Sequence, residues 1–142
     1  KLYNTYYYDR YYFPGQELTK HADRDACEIS VSIHISTNLP DNEKDWPFMI
    51  KTPDTYSDPK KKDTILVPGE ERGLVLNPGD GIIYSGCDRP HWRDPMPGTP
   101  LGKKSKKLFG KKQTQEYYYH QIFFHYVLQD GTRAHCAWDR AR

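Results

Sequence analysis

The chain has 142 residues, of which 36% are hydrophobic and 28% charged, and its formal net charge is +2. This length favours one domain with a core large enough to fold without disulfides, so we expect a single domain over residues 1–142. No apolar run approaches the about 20 residues that a membrane-spanning helix needs, so we expect a soluble protein without a membrane partner. The small net charge argues against a nucleic-acid partner.

Two strands are predicted in the first third of the chain. Six tyrosines among residues 1–13 favour a strand, because aromatic side chains pack well on a pleated surface, and Pro14 and Gly15 end it. From Glu28 to Ser36, polar and apolar residues alternate, which is typical of a strand with one buried face. We expect that face to consist of the four β-branched residues of the run, Ile29, Val31, Ile33 and Ile35.

The rest of the chain also predicts strands and no persuasive helix. Short apolar runs in "FMIK", "TILV" and "GLVLNPGDGIIYSG" are separated by loops rich in Pro, Gly and Asp. The last strong element is the aromatic run from Tyr117 to Leu128, which Asp130 and Gly131 end as a turn. Many short strands divided by turns predict an all-β or mainly β fold, a sandwich or a barrel with few helices.

Features outside the predicted strands indicate a flexible loop, missing upstream residues and reduced cysteines. Residues 99–116 hold six lysines between Lys103 and Lys112, which predicts a flexible Lys-rich loop within the domain. Because the chain opens on Lys1, we expect upstream residues to be missing; no segment specifies a compartment, and the cytoplasm is the default expectation. Reduced thiols are expected for the three widely spaced cysteines, Cys27, Cys87 and Cys136.

One histidine is a candidate metal ligand together with a nearby carboxylate. His21 lies two residues before Asp23 at a predicted strand end, and His91 follows the predicted strand "GIIY" and its turn. Two imidazoles and one carboxylate, with coordination positions left open, suit a non-haem Fe(II) oxygenase. On spacing alone, a solvated loop histidine remains the alternative for His21.

The order of several motifs resembles one family. The stretch "YYFPGQELTKHADRDACEISVSIHIS" resembles the prolyl 4-hydroxylase branch of the Fe(II)/2-oxoglutarate-dependent dioxygenases, and "LNPGDGIIYSGCDRPHW" and "HQIFFHYV" are similar to its later turn, distal histidine and final core strand. The resemblance implies a double-stranded β-helix, also called a jelly roll or cupin-like fold. It also implies iron held by His21, Asp23 and His91, with Asp25 as a bystander.

The same resemblance implies a reaction. Such an enzyme uses Fe(II) and 2-oxoglutarate, with ascorbate as a reductant, to hydroxylate a C–H bond. A prolyl residue in a peptide or protein is the first expectation for the substrate, and a small molecule is the second. The sequence specifies neither the substrate nor the oligomeric state.

The sequence departs from the family where the cosubstrate's far carboxylate is held. The family's basic residue on the final strand is missing from "YYYHQIFFHYV". Arg93 lies two residues past His91, so both side chains should project to one side of the sheet, and a guanidinium can hold a carboxylate through two parallel hydrogen bonds. The alternative is a surface ion pair of Arg93 with Asp94 or Asp88.

Tyr12 and His34 are the further candidates for contact with the cosubstrate. Because His34 alternates with Ile33 and Ile35, a solvent-facing histidine remains its alternative. Two functions from other classes also stay open. One is a non-catalytic jelly-roll module that binds a sugar or a peptide, and the other is a nucleic-acid-binding barrel that uses the tyrosines and lysines.

Overall fold

The structure is a computed structural model, and it describes residues 1–57, 60, 65–98, 100 and 116–138. Apart from residues 100 and 116, the predicted Lys-rich loop at 99–116 lies outside the described residues. The described part is mainly β, as predicted, and its only helices are three-residue 3-10 turns. The strands are β1 (Leu2–Tyr12), β2 (Leu18–His21), β3 (Ile29–Thr37), β4 (Phe48–Lys51), β5 (Thr55–Tyr56), β6 (Leu66–Val67), β7 (Glu71–Leu74), β8 (Gly81–Tyr84), β9 (His91–Arg93) and β10 (Tyr119–Leu128).

Eight of these strands form two antiparallel four-stranded sheets. The first sheet has the order β1-β10-β3-β8, and the second has the order β2-β9-β4-β7. Strands β5 and β6 pair only with each other. Within the described ranges, no helix is both long and apolar enough to cross a membrane.

Aromatic side chains join the inner faces of the two sheets. Phe48 of the second sheet packs against Tyr84 and Phe123 of the first, and its side chain is fully buried. A second buried cluster closes one end of the interior and consists of Tyr12, Leu39, Trp46, Met96 and Tyr119. Burying large rings between two sheets provides most of the non-polar stabilisation available to a domain of this size.

Strand β3 has the opposite orientation to the one predicted. Its inward residues are Ser30, Ser32 and His34, which are at most 2% exposed, whereas Ile35 is 39% exposed. Alternation defines two faces but does not specify which of them points inward. The polar face points inward because the neighbouring strand supplies partners, such as the amide of Gln121, which donates to the Ser32 hydroxyl. The prediction of a buried isoleucine face is therefore wrong.

Candidate metal centre

The second sheet brings the two candidate histidines together. Strand β2 ends at His21, β9 begins at His91, and the antiparallel register pairs these two residues. Asp23 follows two residues after His21, where its backbone N–H donates to the carbonyl of Gly86 at 2.9 Å. Donor atoms of His21, Asp23 and His91 all lie within 4.8 Å of one another. Asp23 Oδ1 is 3.3 Å from His21 Nε2 and 3.6 Å from His91 Nε2.

Hydrogen bonds behind the cluster orient each donor atom. His21 Nδ1 donates to the carbonyl of Thr19 at 2.6 Å, and His91 Nδ1 donates to the carbonyl of Arg89 at 2.8 Å. Because a carbonyl can only accept, both rings carry the Nδ1 proton when neutral, and each Nε2 lone pair is left for a metal. Partners of this kind fix the ring orientation of metal-binding histidines.

The carboxylate of Asp23 is held in the same way. The Ser30 hydroxyl donates to Asp23 Oδ2 at 3.1 Å, which leaves Oδ1 facing the histidines. Because this hydroxyl has one proton, it accepts a hydrogen bond from His125 Nδ1 at 2.9 Å. A chain of hydrogen bonds thus runs from His125 through Ser30 to Asp23.

The charge states favour metal binding at neutral pH. Burial tends to raise the pKa of Asp23, but the hydrogen bond with His21 and the nearby His91 and His125 outweigh it and lower the pKa below its usual value. Burial lowers the pKa of His91, so its imidazole is neutral. The hydrogen bond with Asp23 raises the pKa of His21, so a metal ion competes with a proton for this ring.

The backbone packs closely behind Asp23. A Cβ added to Gly86 would lie 2.5 Å from Asp23 Oδ2 and closer still to the hydroxyl of Ser30 and the carbonyl of Cys27. Real Cβ atoms do not approach that closely, so only glycine fits at this turn. The carboxylate therefore has a rigid wall on the side away from the histidines.

The donor set fits a divalent metal ion. Two donors bound at about 2.1 Å and at right angles to each other stand about 3 Å apart, so the separations of 3.3 and 3.6 Å from Asp23 Oδ1 require only a small contraction. The donor atoms of the two histidines lie within 4.8 Å of each other. Two imidazoles and a carboxylate leave further coordination positions open. These face a pocket of about 350 Å³ whose wall includes all three residues.

Cys27 belongs to a second group that shares Asp23 and includes His125. Its thiol is 1% exposed and lies 3.0 Å from the Tyr6 hydroxyl. Burial raises the pKa of this thiol to about 12, so it remains protonated and is a poor ligand beside the histidine pair. All three cysteines are free thiols, as expected.

Arg93 is a buried cation whose hydrogen-bond partners are all uncharged. Its side chain is 1% exposed, and its guanidinium lies 4.6 Å from the ring of Trp46 and 4.5 Å from that of Tyr119. It donates to Gln121 Oε1 at 3.0 Å, to the carbonyl of Trp46 at 2.6 Å and to the Tyr119 hydroxyl at 3.1 Å. The alternative of a surface ion pair is therefore wrong. Burial lowers the pKa of Arg93, and a buried cation without a carboxylate carries a large desolvation cost.

Two further buried polar atoms close to this arginine have no hydrogen-bond partner in the described part of the chain. One is the hydroxyl of Tyr12, a fully buried residue whose ring packs edge-on against Trp46. The other is His34 Nε2, because His34 donates through Nδ1 to the carbonyl of Leu76 at 2.7 Å. The His34 ring is 2% exposed and stacks on Tyr119 at 3.9 Å, so the solvent-facing alternative is wrong.

Sequence reasoning missed Ser30 on β3. On β10 it placed Gln121 near the expected carboxylate clamp and left His125 either facing the cavity or packing, without giving either residue a role in the site. Ser30, Gln121 and His125 all lie on inward faces, yet their letters differ little from those of surface residues. The sequence also indicated no partner for His120, whose Nε2 is 2.6 Å from Asp9 Oδ1. Asp25 lies outside the cluster, as expected, and accepts a hydrogen bond from Arg133 at 3.0 Å.

Comparisons with protein families, curated proteins and solved structures find no match for this chain.

Proposed function

We propose that this protein is an Fe(II)- and 2-oxoglutarate-dependent dioxygenase that hydroxylates a C–H bond. The observation that carries the proposal is the position of Arg93, a buried cation that has no counter-charge among the described residues. It lies two residues along β9 from the histidine of a His-Asp-His cluster. A metal centre alone would explain the cluster but not the buried guanidinium. A ligand with one end at the metal and a carboxylate at the other end explains both.

The three proposed iron ligands are His21, Asp23 and His91. Bound Fe(II) supplies the oxygen chemistry that breaks an unactivated C–H bond, which protein side chains cannot do alone. The chain's part is to hold the ion through two Nε2 atoms and one carboxylate oxygen, and to leave positions open towards the pocket. The carbonyls behind each imidazole and Ser30 behind Asp23 keep the donors in place.

The proposed cosubstrate contacts lie around Arg93. Residues two apart on a strand project to the same side about 6.6 Å apart, which is comparable with the length of an extended five-carbon dicarboxylate. Two guanidinium N–H groups remain after the three hydrogen bonds of Arg93, and they can hold a carboxylate. The hydroxyls of Tyr12 and Tyr119 can donate to the same group. His34 Nε2 is an acceptor in the neutral ring, so His34 would contact the cosubstrate through a water or as an imidazolium.

Entry of the cosubstrate requires a side chain to move. The wall of the pocket at the metal centre does not include Arg93. Between them lies the ring of Phe48, which is 5.7 Å from the His91 ring and 5.6 Å from the Arg93 guanidinium. Rotamer changes of this kind are common when a ligand binds.

The strand order supports a double-stranded β-helix as the finer description of the fold. Along the chain, β1 to β4 alternate between the first and second sheets, and β7 to β10 do so in the order second, first, second, first. A chain that passes repeatedly between two facing sheets winds into a roll. The proposed iron site lies at the end of β2, which is one mouth of this roll.

The test of the proposal is succinate formation. Purified protein is mixed in air with Fe(II), 2-oxoglutarate and ascorbate, because such enzymes release succinate slowly even without their prime substrate. We expect succinate from the wild-type protein and from Asp25→Asn, and none from Asp23→Asn. Asp25 is a matched control because it lies two residues away and pairs with Arg133.

An absence of succinate would favour a different function. A folded, iron-loaded wild-type protein that releases no succinate would favour the non-catalytic module that binds a sugar or a peptide. By resemblance, a prolyl residue in a peptide or protein is the first substrate to add to the reaction, followed by small molecules.

A further inference from the structure

The pocket beside the metal centre has a wall of tyrosines and cations. Strand β1 contributes Tyr6, Tyr8 and Arg10, and the segment after β2 contributes Arg24. Among the residues that the structure describes, Asp23 is the only acidic one in this wall, and its carboxylate faces the two histidines. A divalent ion at the metal centre would add two more positive charges. The charged side chains that line the pocket therefore carry an excess of positive charge.

Arg10 is the cation of this wall whose side chain has N–H donors left for a ligand. Its guanidinium lies 4.2 Å from the centre of the Tyr12 ring, and Nη2 donates to the carbonyl of Glu17 at 3.1 Å. Within the described ranges, no carboxylate forms an ion pair with Arg10. A guanidinium has five N–H donors, so most of them remain for a ligand. The contact with the aromatic ring restricts the side chain, and the planar guanidinium presents its donors in one plane.

Arg24 also lines the pocket, and its guanidinium lies 4.8 Å from the Tyr6 ring. The two arginines, each against a tyrosine, thus line the same pocket as His21, Asp23 and His91. Fixed cations in a concave site of about 350 Å³ concentrate anions of amino-acid size.

From this arrangement we infer that the pocket selects an anionic substrate. Arg10 binds a carboxylate or phosphate group of that substrate, and the substrate's C–H bond lies against the His21, Asp23 and His91 cluster. The inference depends on the proposed function for the reaction but not for the binding. Arg10 is distinct from Arg93, which is fully buried and lies outside the pocket wall.

The experiment compares blocked amino acids that differ in charge and little in shape. Calorimetry measures the binding of acetyl-glutamate amide, acetyl-glutamine amide and acetyl-phosphoserine amide to metal-free protein and to Zn(II)-loaded protein saturated with 2-oxoglutarate. We expect the wild type to prefer at least one anion over the glutamine probe by about 10- to 100-fold, because hydrogen bonds to charged groups are worth about 1.5–3 kcal/mol. Whether the carboxylate or the phosphate probe binds tighter identifies the anion.

Arg10→Met should abolish this preference while the affinities for Zn(II) and 2-oxoglutarate stay unchanged. Arg10→Lys keeps the charge and should retain part of the preference, which guards against a methionine variant that folds poorly. Arg72→Met is the matched control, since Arg72 is exposed, pairs with Glu70 and lies outside the pocket wall.

Equal binding of the charged and neutral probes by the wild type would overturn the inference, and so would a preference that survives Arg10→Met. Loss of 2-oxoglutarate binding in Arg10→Met would also overturn it, because Arg10 would then be the cosubstrate's clamp. Failure of the proposed function appears differently, as absent succinate and absent 2-oxoglutarate binding in the wild type. The preference of the metal-free protein for an anion is still measurable in that case.

Discussion

Replacing Arg93 with methionine tests the arrangement of the proposed cosubstrate site most directly. Methionine keeps most of the non-polar stem of Arg93 but removes the guanidinium that lies against the rings of Trp46 and Tyr119. Arg93 contacts none of the three proposed metal ligands through a hydrogen bond. We therefore expect the variant to bind a divalent metal as the wild type does and to lose affinity for 2-oxoglutarate.

The size of the loss follows from the number of hydrogen bonds. Two N–H groups of Arg93 are left for the far carboxylate, and a hydrogen bond to a charged group contributes about 1.5–3 kcal/mol. The site is buried, so solvent screens the interaction little. Two such hydrogen bonds are worth about 3–6 kcal/mol, and because 1.4 kcal/mol is a factor of ten in affinity, 2-oxoglutarate should bind about 100- to 10,000-fold more weakly to the variant.

A ligand without the far carboxylate separates this effect from a general loss of binding. Calorimetry on Zn(II)-loaded protein would compare 2-oxoglutarate with 2-oxobutyrate, which keeps the metal-binding end only. We expect the wild type to prefer 2-oxoglutarate strongly and Arg93→Met to bind both ligands equally. Wild-type affinity for 2-oxoglutarate in Arg93→Met would refute the reasoning and place the clamp elsewhere.

Three further predictions concern the residues around the site. Ser30→Ala removes the hydrogen bond that holds the Asp23 carboxylate and should weaken Zn(II) binding about 10- to 100-fold in a metal titration. An unchanged Zn(II) affinity would show that this hydrogen bond does not support the site. Burial lowers the pKa of His125 from 6.5 to about 4, so the unfolded chain takes up a proton that the folded protein does not. His125 should therefore lower the free energy of unfolding of the metal-free protein by up to about 3 kcal/mol between pH 6.5 and pH 4. Urea denaturation should find a smaller decrease in His125→Gln, where the buried His34 and His91 still contribute, and an equal decrease in both proteins would contradict the assignment. Phe48→Ala should lower the free energy of unfolding by about 3–5 kcal/mol in the same denaturation assay. A decrease below about 1 kcal/mol would mean that the Phe48 ring does not hold the two sheets together.

The strands were readable from the sequence because their signals are local. Alternation, aromatic enrichment and turn residues predicted β1, β3 and β10 to within two residues of their bounds, since each signal depends on neighbours in the chain. Which face of β3 points inward depends on Gln121 and His125, about 90 residues later in the sequence. Local alternation carries no information about such a contact.

The same distinction applies to the site. The spacing of His21 and Asp23, with His91 in a later strand, suggested a common centre that the sheet register brings together. Arg93 was a candidate from its place beside His91, but its burial and uncharged partners could not be read from its neighbours, two of which are aspartates within six residues. The roles of Ser30 and Arg10 can be recognised only from the three-dimensional packing, because serine and arginine are both common on protein surfaces.

The glycine turn behind Asp23 has a consequence for how this centre can change. Any side chain at position 86 would displace the carboxylate of Asp23. Substitutions on that side would therefore disrupt the metal centre instead of adjusting its properties. The open side, where Arg10 and the tyrosines of β1 lie, has no such constraint. Variation among descendants of this chain should therefore accumulate at the entrance, so that choice of ligand can diverge while the ion's surroundings stay the same.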